Sequence, residues 1–378
     1  MAYFFPIALL LLAFLLGQAG SSLAQARRWF GVIGLESGWL SRVHTLGVFS
    51  GIFKIAALLL VAASAVLFLQ TQNQSEAQRE RMLAQFKPEY DPNSLWQAPD
   101  PEGMEWADEA ELIRYGRDLV VHTQDYFGPL GLIRPASING LNCQNCHLDA
   151  GSKPWGNNYA AVQSMYPQFR ERSGSEETIA KRVNDCFERS LNGQPLDTTG
   201  REMLAIKAYI AWLGQSVPAK VKPKGSGLWA PEFLDRPADP ARGQAVYVAK
   251  CKSCHGPDGQ GLPMPESARD YPPLWGERSY AESAGLFRLS RFAGYVKANM
   301  PLGATWDNPQ LTDEEAWDVA AFVNSQPRPK HRFLDTDFPK VAGKPFDHPF
   351  GPYSDTFPEI QHKYGPFQPI LAAKKATR

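Results

Sequence analysis

The fold is decided by two short stretches that share one pattern, Cys143-Gln-Asn-Cys146-His147 and Cys251-Lys-Ser-Cys254-His255. They contain four of the five cysteines in the 378-residue chain. In such a pattern the two thiols bind a haem covalently and the adjacent histidine reaches the iron. A four-thiolate zinc site needs no histidine after each pair, and a redox Cys-x-x-Cys belongs to a βαβ pattern that this sequence lacks. We therefore predict two covalently bound c-type haems, with His147 and His255 as iron ligands.

The charge of the chain is balanced, with 39 basic and 39 acidic residues. Charge therefore indicates neither nucleic acid nor an anionic membrane surface as a partner, and no nucleic-acid partner is expected. Gly and Pro number 31 each, which is typical of compact domains with many loops. The length allows two domains and additional segments.

Two apolar segments at the N-terminus predict a membrane anchor. The first, Met1–Ala26, carries no charged side chain, and the second, 46–69, is interrupted only by Lys54. Each is close to the roughly 20 residues that cross a bilayer. Arg27, Arg28, Arg42 and His44 lie between the two segments. Because basic segments stay on the cytoplasmic side, a transmembrane hairpin is predicted, with the rest of the chain on the far side.

Two alternatives remain open for the first apolar segment. One is a cleaved signal peptide with Ser22-Leu-Ala24 as the cleavage site, although this segment lacks the usual basic start. The other is a later start of the chain, which would make Lys54 and the second segment a single signal anchor. Both the hairpin and the single anchor predict a protein tethered to the inner membrane, with its haem domains in the periplasm.

Each haem motif lies between two predicted helices, which cover residues 108–121 and 201–213 in the first half and 240–249 and 311–323 in the second. The last helix begins with a predicted capping box, Thr312 and Glu315. This plan resembles the class I cytochrome c fold, in which the first and last helices cross beside the haem. We therefore predict an all-α chain with two class I cytochrome c-like domains and an N-terminal transmembrane segment or hairpin.

Segments rich in proline and glycine set the predicted domain boundaries. The segment 216–227 separates the two halves. In the polar linker before the first half, Pro88, Pro92 and Pro99 prevent a long helix. The tail after Gln326 is rich in Pro and aromatic residues without clear periodicity, so it is predicted as a packed strap, with a disordered end as the alternative. The predicted organisation is a membrane anchor (1–70), a linker (71–101), a first cytochrome c domain with the active-site haem (102–215), a second with the electron-transfer haem (228–326) and an extended C-terminal strap (327–378).

Met300 is the predicted sixth iron ligand of the second haem. Of the two methionines that follow Cys251, Met264 lies too close to the haem motif to reach the opposite face. Met300 stands before a proline, 45 residues after His255, and this arrangement resembles the Met loop of small cytochromes c. A thioether ligand favours Fe(II) and raises the reduction potential, so this haem is expected to pass electrons on. Core packing is the alternative role for a lone methionine.

The first half contains the fifth cysteine, Cys186, within the run Arg182-Val-Asn-Asp-Cys186-Phe-Glu-Arg-Ser190-Leu-Asn-Gly193. An unpaired thiol is unusual in an oxidising compartment, although a small buried hydrophobe is the simplest role for it. This run, together with Tyr166-Pro-Gln-Phe-Arg-Glu-Arg172 and Asn142-Cys-Gln-Asn-Cys-His-Leu-Asp-Ala-Gly151, resembles the tetrathionate-forming thiosulfate dehydrogenases, a family of dihaem cytochromes. The resemblance covers roughly residues 100–330 and is most specific in the first half.

The resemblance implies iron ligands and a reaction. It implies that His147 and Cys186 bind the first iron and that His255 and Met300 bind the second. The implied reaction joins two thiosulfates into tetrathionate and releases two electrons. These electrons would pass through both haems to an electron-accepting cytochrome or another high-potential carrier.

The resemblance also implies the substrate pocket. Arg172, Arg182 and Ser190 match family positions that line it, and with Cys186 they are the implied catalytic residues. Guanidinium groups suit a dianionic substrate, although pairing with haem propionates or solvent is a simpler role for the arginines. Two other functions remain open: a membrane-anchored dihaem electron-transfer cytochrome in which Cys186 tunes the potential, and a sulfur enzyme of the tetrathionate reductase type.

Overall fold

The computed structural model of the chain describes residues 4–32, 38–86, 89–135, 137–264 and 271–376. Pro88, one of the three predicted helix-limiting prolines, lies outside these ranges. The chain forms two compact units, residues 1–85 and 86–378. Regular structure in the described residues is almost entirely helical, which confirms the predicted all-α class.

The first unit consists of two long helices, α1 (Phe4–Val32) and α2 (Gly38–Phe86). The two helices contact each other where the hydroxyl of Ser50 donates a hydrogen bond to the carbonyl oxygen of Gly20 over 2.8 Å. A Cβ on Gly20 would lie 3.2 Å from the carbonyl oxygen of Ser50, so the absence of a side chain permits this close approach.

One helical segment among the described residues, Gly47–Phe86, is long and apolar enough to cross a membrane. Its large apolar side chains face outward, and Leu58 and Leu59 are 70% and 65% exposed. Such exposure is unfavourable in water and is expected where lipid surrounds a helix. Helix α2 continues past the predicted end of the anchor to Phe86, so part of the predicted linker is helical.

The second unit contains both haem motifs and the tail. The elements of the first half are α3 (Ala110–Val121), α4 (Thr123–Phe127), α5 (Leu148–Gly151), α6 (Val162–Met165), β1 (Gln168–Arg170), β2 (Ser175–Glu177), α7 (Ile179–Asp185) and α8 (Arg201–Leu213). Those of the second half and tail are α9 (Pro240–Lys250), α10 (Lys252–His255), α11 (Leu289–Asn299), α12 (Asp313–Ser325), α13 (Glu359–Tyr364) and α14 (Gln368–Ala376). Strands β1 and β2 pair antiparallel, with Phe169 opposite Glu176.

Both halves depend on the same helix crossing. A Cβ on Gly116 of α3 would lie 1.9 Å from the carbonyl oxygen of Ala205 in α8, so a side chain there would force the helices apart. In the second half, a Cβ on Gly243 of α9 would lie 1.9 Å from the carbonyl oxygen of Asp318 in α12. The crossing of first and last helices that was predicted for each cytochrome c-like domain is therefore present twice.

The predicted capping box at the start of α12 is also confirmed. The backbone N–H of Glu315 donates to the Thr312 hydroxyl over 3.1 Å, and the backbone N–H of Thr312 donates to the Glu315 carboxylate over 2.9 Å. These two bonds satisfy donors that the first turn of a helix otherwise leaves unpaired.

The described part of the tail packs against the rest of the second unit. Its α14 buries Ile370 completely, and Phe367 contacts Trp317 of α12 with ring centroids 5.5 Å apart. The buried ring of His362 is held by the carbonyl oxygen of Phe346 on one side and by Asp355 on the other, over 2.7 and 3.0 Å. The strap thus includes two short helices, α13 and α14, in addition to extended segments.

Candidate functional site

In the first haem motif, His147 has the orientation and protonation state that metal binding requires. His147 follows a short helical turn, Cys143–Asn145, and its Nδ1 lies 2.5 Å from the carbonyl oxygen of Asn157. Because a carbonyl only accepts, Nδ1 carries the proton and Nε2 keeps its lone pair. Burial lowers the pKa of His147 to about 4, so the ring is neutral at physiological pH. Tyr159 packs against the ring, with centroids 4.6 Å apart.

The second motif repeats this arrangement. His255 ends α10, its side chain is buried, and its Nδ1 donates to the carbonyl oxygen of Pro272 over 3.1 Å. Burial lowers the pKa of this histidine as well. Met300 directly follows α11, is half-buried and packs against the core of the same unit. Its role as a ligand stays a prediction.

The buried indole N–H of Trp155 gives a further indication of whether the residues at the first motif fit a haem. The Nε1 of Trp155, in the loop between His147 and Asn157, is buried and has no hydrogen-bond partner among the residues that the structure describes. A buried N–H group without an acceptor is costly. A haem propionate is an acceptor of the required chemistry. With the neutral His147, this donor makes the residues of the first motif consistent with a c-type haem, and the buried His255 with its Nδ1 bonded to Pro272 does the same for the second.

Cys186 lies at a distorted helix end beside the first motif. Helix α7 ends at Asp185, and a single π-helical turn, Cys186–Ser190, follows it. Such turns are rare and often occur at functional sites. Burial raises the pKa of the Cys146 thiol to about 12, and the charge of Cys186 acts in the same direction. The charge of Cys186 is also the main cause that raises the pKa of Arg182.

A small cleft of about 60 Å³ lies at the first haem motif. It is lined by Cys146, His147, Asn157 and Ser190 of the first half, and by Leu228, Ala284, Gly285, Leu286 and Arg291 of the following chain. The structure therefore places Ser190, one of the predicted pocket residues, in the wall of this cleft. The second half of the chain supplies much of the opposite wall.

The predicted pocket residue Arg172 has a different environment. It lies in the turn between β1 and β2, donates to the carbonyl oxygen of Ser283 over 3.3 Å, and has its Nε 4.0 Å from the carboxylate of Asp337. Burial, and then the nearby charge of Arg189, lowers its pKa to about 10. Arg172 is not among the residues that line the cleft, and it connects the first half to the second half and to the tail.

Sequence reasoning missed α11, the helix that joins the second half to the first haem motif. The hydroxyl of Tyr295 donates to the carbonyl oxygen of Asn145 over 2.7 Å, and the side chain of Asn299 donates to the carbonyl oxygen of Trp155 over 3.1 Å. Helix α11 also carries Arg291 into the cleft. The available signal was the apolar spacing of residues 289–299 at helical period.

Comparison with known proteins relates both halves to cytochromes. The family model of the SoxA/TsdA cytochrome c domain matches residues 134–219, and that of cytochrome c matches residues 240–327. The thiosulfate dehydrogenase of Allochromatium vinosum is 38% identical over 221 residues, which are 57% of this chain and 76% of that protein. The thiosulfate dehydrogenase of Stutzerimonas stutzeri is 34% identical over 238 residues, which are 63% of this chain and 74% of that protein.

A solved structure is similar as well. The thiosulfate dehydrogenase (TsdBA) of Marichromatium purpuratum, in its as-isolated form, aligns with a TM-score of 0.58 and 31% sequence identity. The alignment covers 64% of this chain and 52% of that one, so this chain spans about half the length of the solved protein.

Proposed function

Since the chain belongs to the thiosulfate dehydrogenase family of cytochromes, we propose that it oxidises two thiosulfates to tetrathionate and passes the electrons to an external acceptor. That acceptor is an electron-accepting cytochrome or another high-potential carrier. The observation that carries the proposal is the position of Cys186, which begins a π-helical turn beside Cys146 and interacts electrostatically with Arg182.

The proposed cofactors are two covalently bound c-type haems. Cys143, Cys146, His147 and Cys186 would hold the first. Cys251, Cys254, His255 and Met300 would hold the second. When bound, the haems would supply one-electron acceptors between the substrate and the external carrier, and a thioether from Met300 would raise the potential of the second.

The proposed chemistry at Cys186 balances in two steps. First, the Cys186 thiolate forms a bond to the outer sulfur of one thiosulfate, which leaves Cys186–S–S–SO₃⁻ and releases two electrons. A second thiosulfate then attacks the sulfur carried by Cys186 through its own outer sulfur, as in thiol–disulfide exchange. The bond to Cys186 breaks, tetrathionate leaves and the Cys186 thiolate is restored.

The charges around Cys186 suit this substrate. Thiosulfate is a dianion, and its approach to a thiolate requires positive charge. The charge of Cys186 is the main cause of the raised pKa of Arg182, so a cation lies beside this sulfur. Ser190, in the wall of the cleft, would donate its hydroxyl to a sulfonate oxygen. Arg172 adds positive charge at longer range.

The proposed location is the inner membrane, with the haem domains in the periplasm. The exposed apolar surface of the segment Gly47–Phe86 supports an anchor in lipid. The contact between α1 and α2 at Gly20 is consistent with a helical hairpin as the membrane part.

The proposed function is tested by measuring stoichiometry with the purified, haem-loaded protein. Thiosulfate and ferricyanide are supplied, and thiosulfate, tetrathionate and ferrocyanide are quantified. We expect one tetrathionate and two ferrocyanides for every two thiosulfates consumed. Absence of turnover with thiosulfate would instead favour an electron-transfer cytochrome, and turnover only from tetrathionate with a reduced donor would favour a reductase.

A further inference from the structure

The π-helical turn that begins at Cys186 depends on hydrogen bonds from outside its own loop. The carbonyl oxygens of Cys186 and Phe187 accept backbone N–H groups of the same loop, over 2.9 and 2.8 Å. The next two carbonyl oxygens, those of Glu188 and Arg189, accept hydrogen bonds from side chains elsewhere in the chain. Because a π-helical turn departs from the regular helical hydrogen-bond pattern, such outside donors help to fix its geometry.

Arg332 of the C-terminal tail is the first of these donors. One terminal nitrogen of its guanidinium lies 2.8 Å from the carbonyl oxygen of Glu188 and 3.1 Å from that of Gly193. Gly193 closes the same loop, because its backbone N–H donates to the carbonyl oxygen of Phe187. A single charged donor therefore joins the π-helical turn to the residue that closes the loop, and hydrogen bonds from charged donors are stronger than those between neutral groups.

Arg189 of the turn is held by the second half and by the tail. The hydroxyl of Ser283, which is buried, donates to the carbonyl oxygen of Arg189 over 3.0 Å. The guanidinium of Arg189 donates to Asp337 over 2.7 Å and lies 4.3 Å from the ring centroid of Phe333. Tail residues thus contact both the backbone and a side chain of the turn.

The same part of the tail contacts the turn that contains Arg172. The backbone N–H of Phe338 donates to the carbonyl oxygen of Arg172 over 2.7 Å. Gly174 has a φ of +66°, and a Cβ there would lie 2.6 Å from a ring carbon of Pro339, so the absence of a side chain permits the contact. One segment of the tail therefore lies against both loops that carry predicted substrate residues.

We propose that this segment, residues 332–339, positions Cys186 for reaction, and that Arg332 is a positioning residue. We call the segment the tail clamp. The proposal rests on the proposed function, in which the Cys186 sulfur must meet the outer sulfur of thiosulfate. Since Cys186 is the first residue of the π-helical turn, a change in the turn displaces its sulfur. Arg332 acts on that sulfur through the backbone of the turn, because its guanidinium binds carbonyl oxygens there.

The experiment compares Arg332→Ala and Arg332→Lys with Lys330→Gln, in full-length haem-loaded protein. Arg332 is exposed, so its replacement leaves the core of the unit intact. Lysine keeps a charged donor at this position. Lys330 is 85% exposed and contacts Glu282 over 3.0 Å, so Lys330→Gln removes a nearby charge of the tail that pairs away from the turn.

The kinetic readout separates positioning from substrate binding. Arg332→Ala should lower kcat by about tenfold to a hundredfold, since a displacement of about 1 Å at a reacting atom can cost about a hundredfold. KM should stay near the wild-type value, because the cation beside Cys186, Arg182, is unchanged. Arg332→Lys should recover most of kcat, and Lys330→Gln should match the wild type.

Hydrogen exchange, followed by peptide mass spectrometry, tests the tail clamp without turnover. In Arg332→Ala, the amides of Leu191 and Gly193, which donate to carbonyl oxygens of the turn, should exchange faster than in the wild type. The amides of α12 should stay as protected as in the wild type.

Four results would overturn the proposal. These are a wild-type kcat in Arg332→Ala, a reduced kcat with unchanged exchange, a raised KM with unchanged kcat, and an equal loss of kcat in Lys330→Gln. Failure of the proposed function is distinguishable from each of them. A wild-type protein that does not oxidise thiosulfate refutes that function, whereas the exchange data decide separately whether Arg332 holds the turn.

Discussion

Replacement of Asp337 by asparagine should markedly destabilise the second unit. Asp337 comes from the tail and its side chain is 2% exposed. Its Oδ2 accepts a hydrogen bond from Arg189 over 2.7 Å and lies 3.3 Å from Nε2 of His331. The amide in Asp337→Asn has nearly the same shape as the carboxylate but no charge, so the variant leaves Arg189 with a weaker partner.

The size of the effect follows from the contacts. At 2.7 Å the attraction between the unit charges of Arg189 and Asp337 is about 6 kcal/mol with an effective dielectric constant of about 20, and desolvation offsets much of it. Removal of one partner from a buried pair costs about 3–5 kcal/mol. The lower end applies here because Arg189 also contacts Asp185 over 3.3 Å and lies over the ring of Phe333.

The assay is thermal unfolding of the haem-loaded protein at neutral pH. For a unit of this size, about 3 kcal/mol lowers Tm by roughly 5 °C. The control is Asp335→Asn, because Asp335 is exposed and only two positions away. We expect this control to change Tm by no more than about 2 °C. A similarly small change in Asp337→Asn would refute the structural role given to the carboxylate.

The same variant has a predicted pH dependence. Burial alone would raise the pKa of Asp337, but the hydrogen bonds from His331 and Arg189 outweigh it, so the pKa lies below its usual value of 3.8. A depressed folded-state pKa contributes stability above the unfolded-state pKa, and this contribution is lost as pH falls through the folded-state pKa. The Tm difference between wild type and Asp337→Asn should therefore be full at neutral pH and shrink below about pH 4.

Three further outcomes are expected. Met300→Ala should lower the potential of the second haem in a spectroelectrochemical titration, because the thioether stabilises Fe(II); an unchanged potential would remove Met300 as a ligand. Gly243→Ala should destabilise the second unit by about 2 kcal/mol or more in denaturant unfolding, since the new Cβ would overlap the carbonyl oxygen of Asp318. Gly285→Ala, where a Cβ would meet nothing within 4 Å, is the matched control and should unfold like wild type. The full-length protein should stay in the membrane fraction after a carbonate wash, and its release would contradict a membrane-spanning anchor.

Local sequence patterns were sufficient to predict much of the fold. The haem motifs are contiguous, helix α8 has the predicted bounds, 201–213, and the capping box of α12 spans only four residues. The end of α2 was harder to predict, because the polar stretch after Gln70 is rich in good helix formers and the helix continues past the apolar segment.

The contacts that complete the site could not be read from the sequence. Arg189 and Asp337 are separated by 148 positions, and nothing in the tail indicates that its carboxylates contact arginines near Cys186. Likewise, Arg291 enters the cleft only because α11 packs against the first haem motif through Tyr295. Such pairings depend on tertiary packing, which periodicity and spacing do not report.

The central claim is that Cys186 carries sulfur from thiosulfate, and peptide mass spectrometry tests it most directly. Wild-type protein is turned over with limiting thiosulfate and an oxidant, quenched and digested, beside Cys186→Ala treated identically. We expect one added S₂O₃ group on the wild-type peptide that contains Cys186, and no thiosulfate oxidation by Cys186→Ala, although the variant keeps both haems and a reducible second haem. Wild-type rates of tetrathionate formation in Cys186→Ala, with no adduct on the wild-type peptide, would contradict the account.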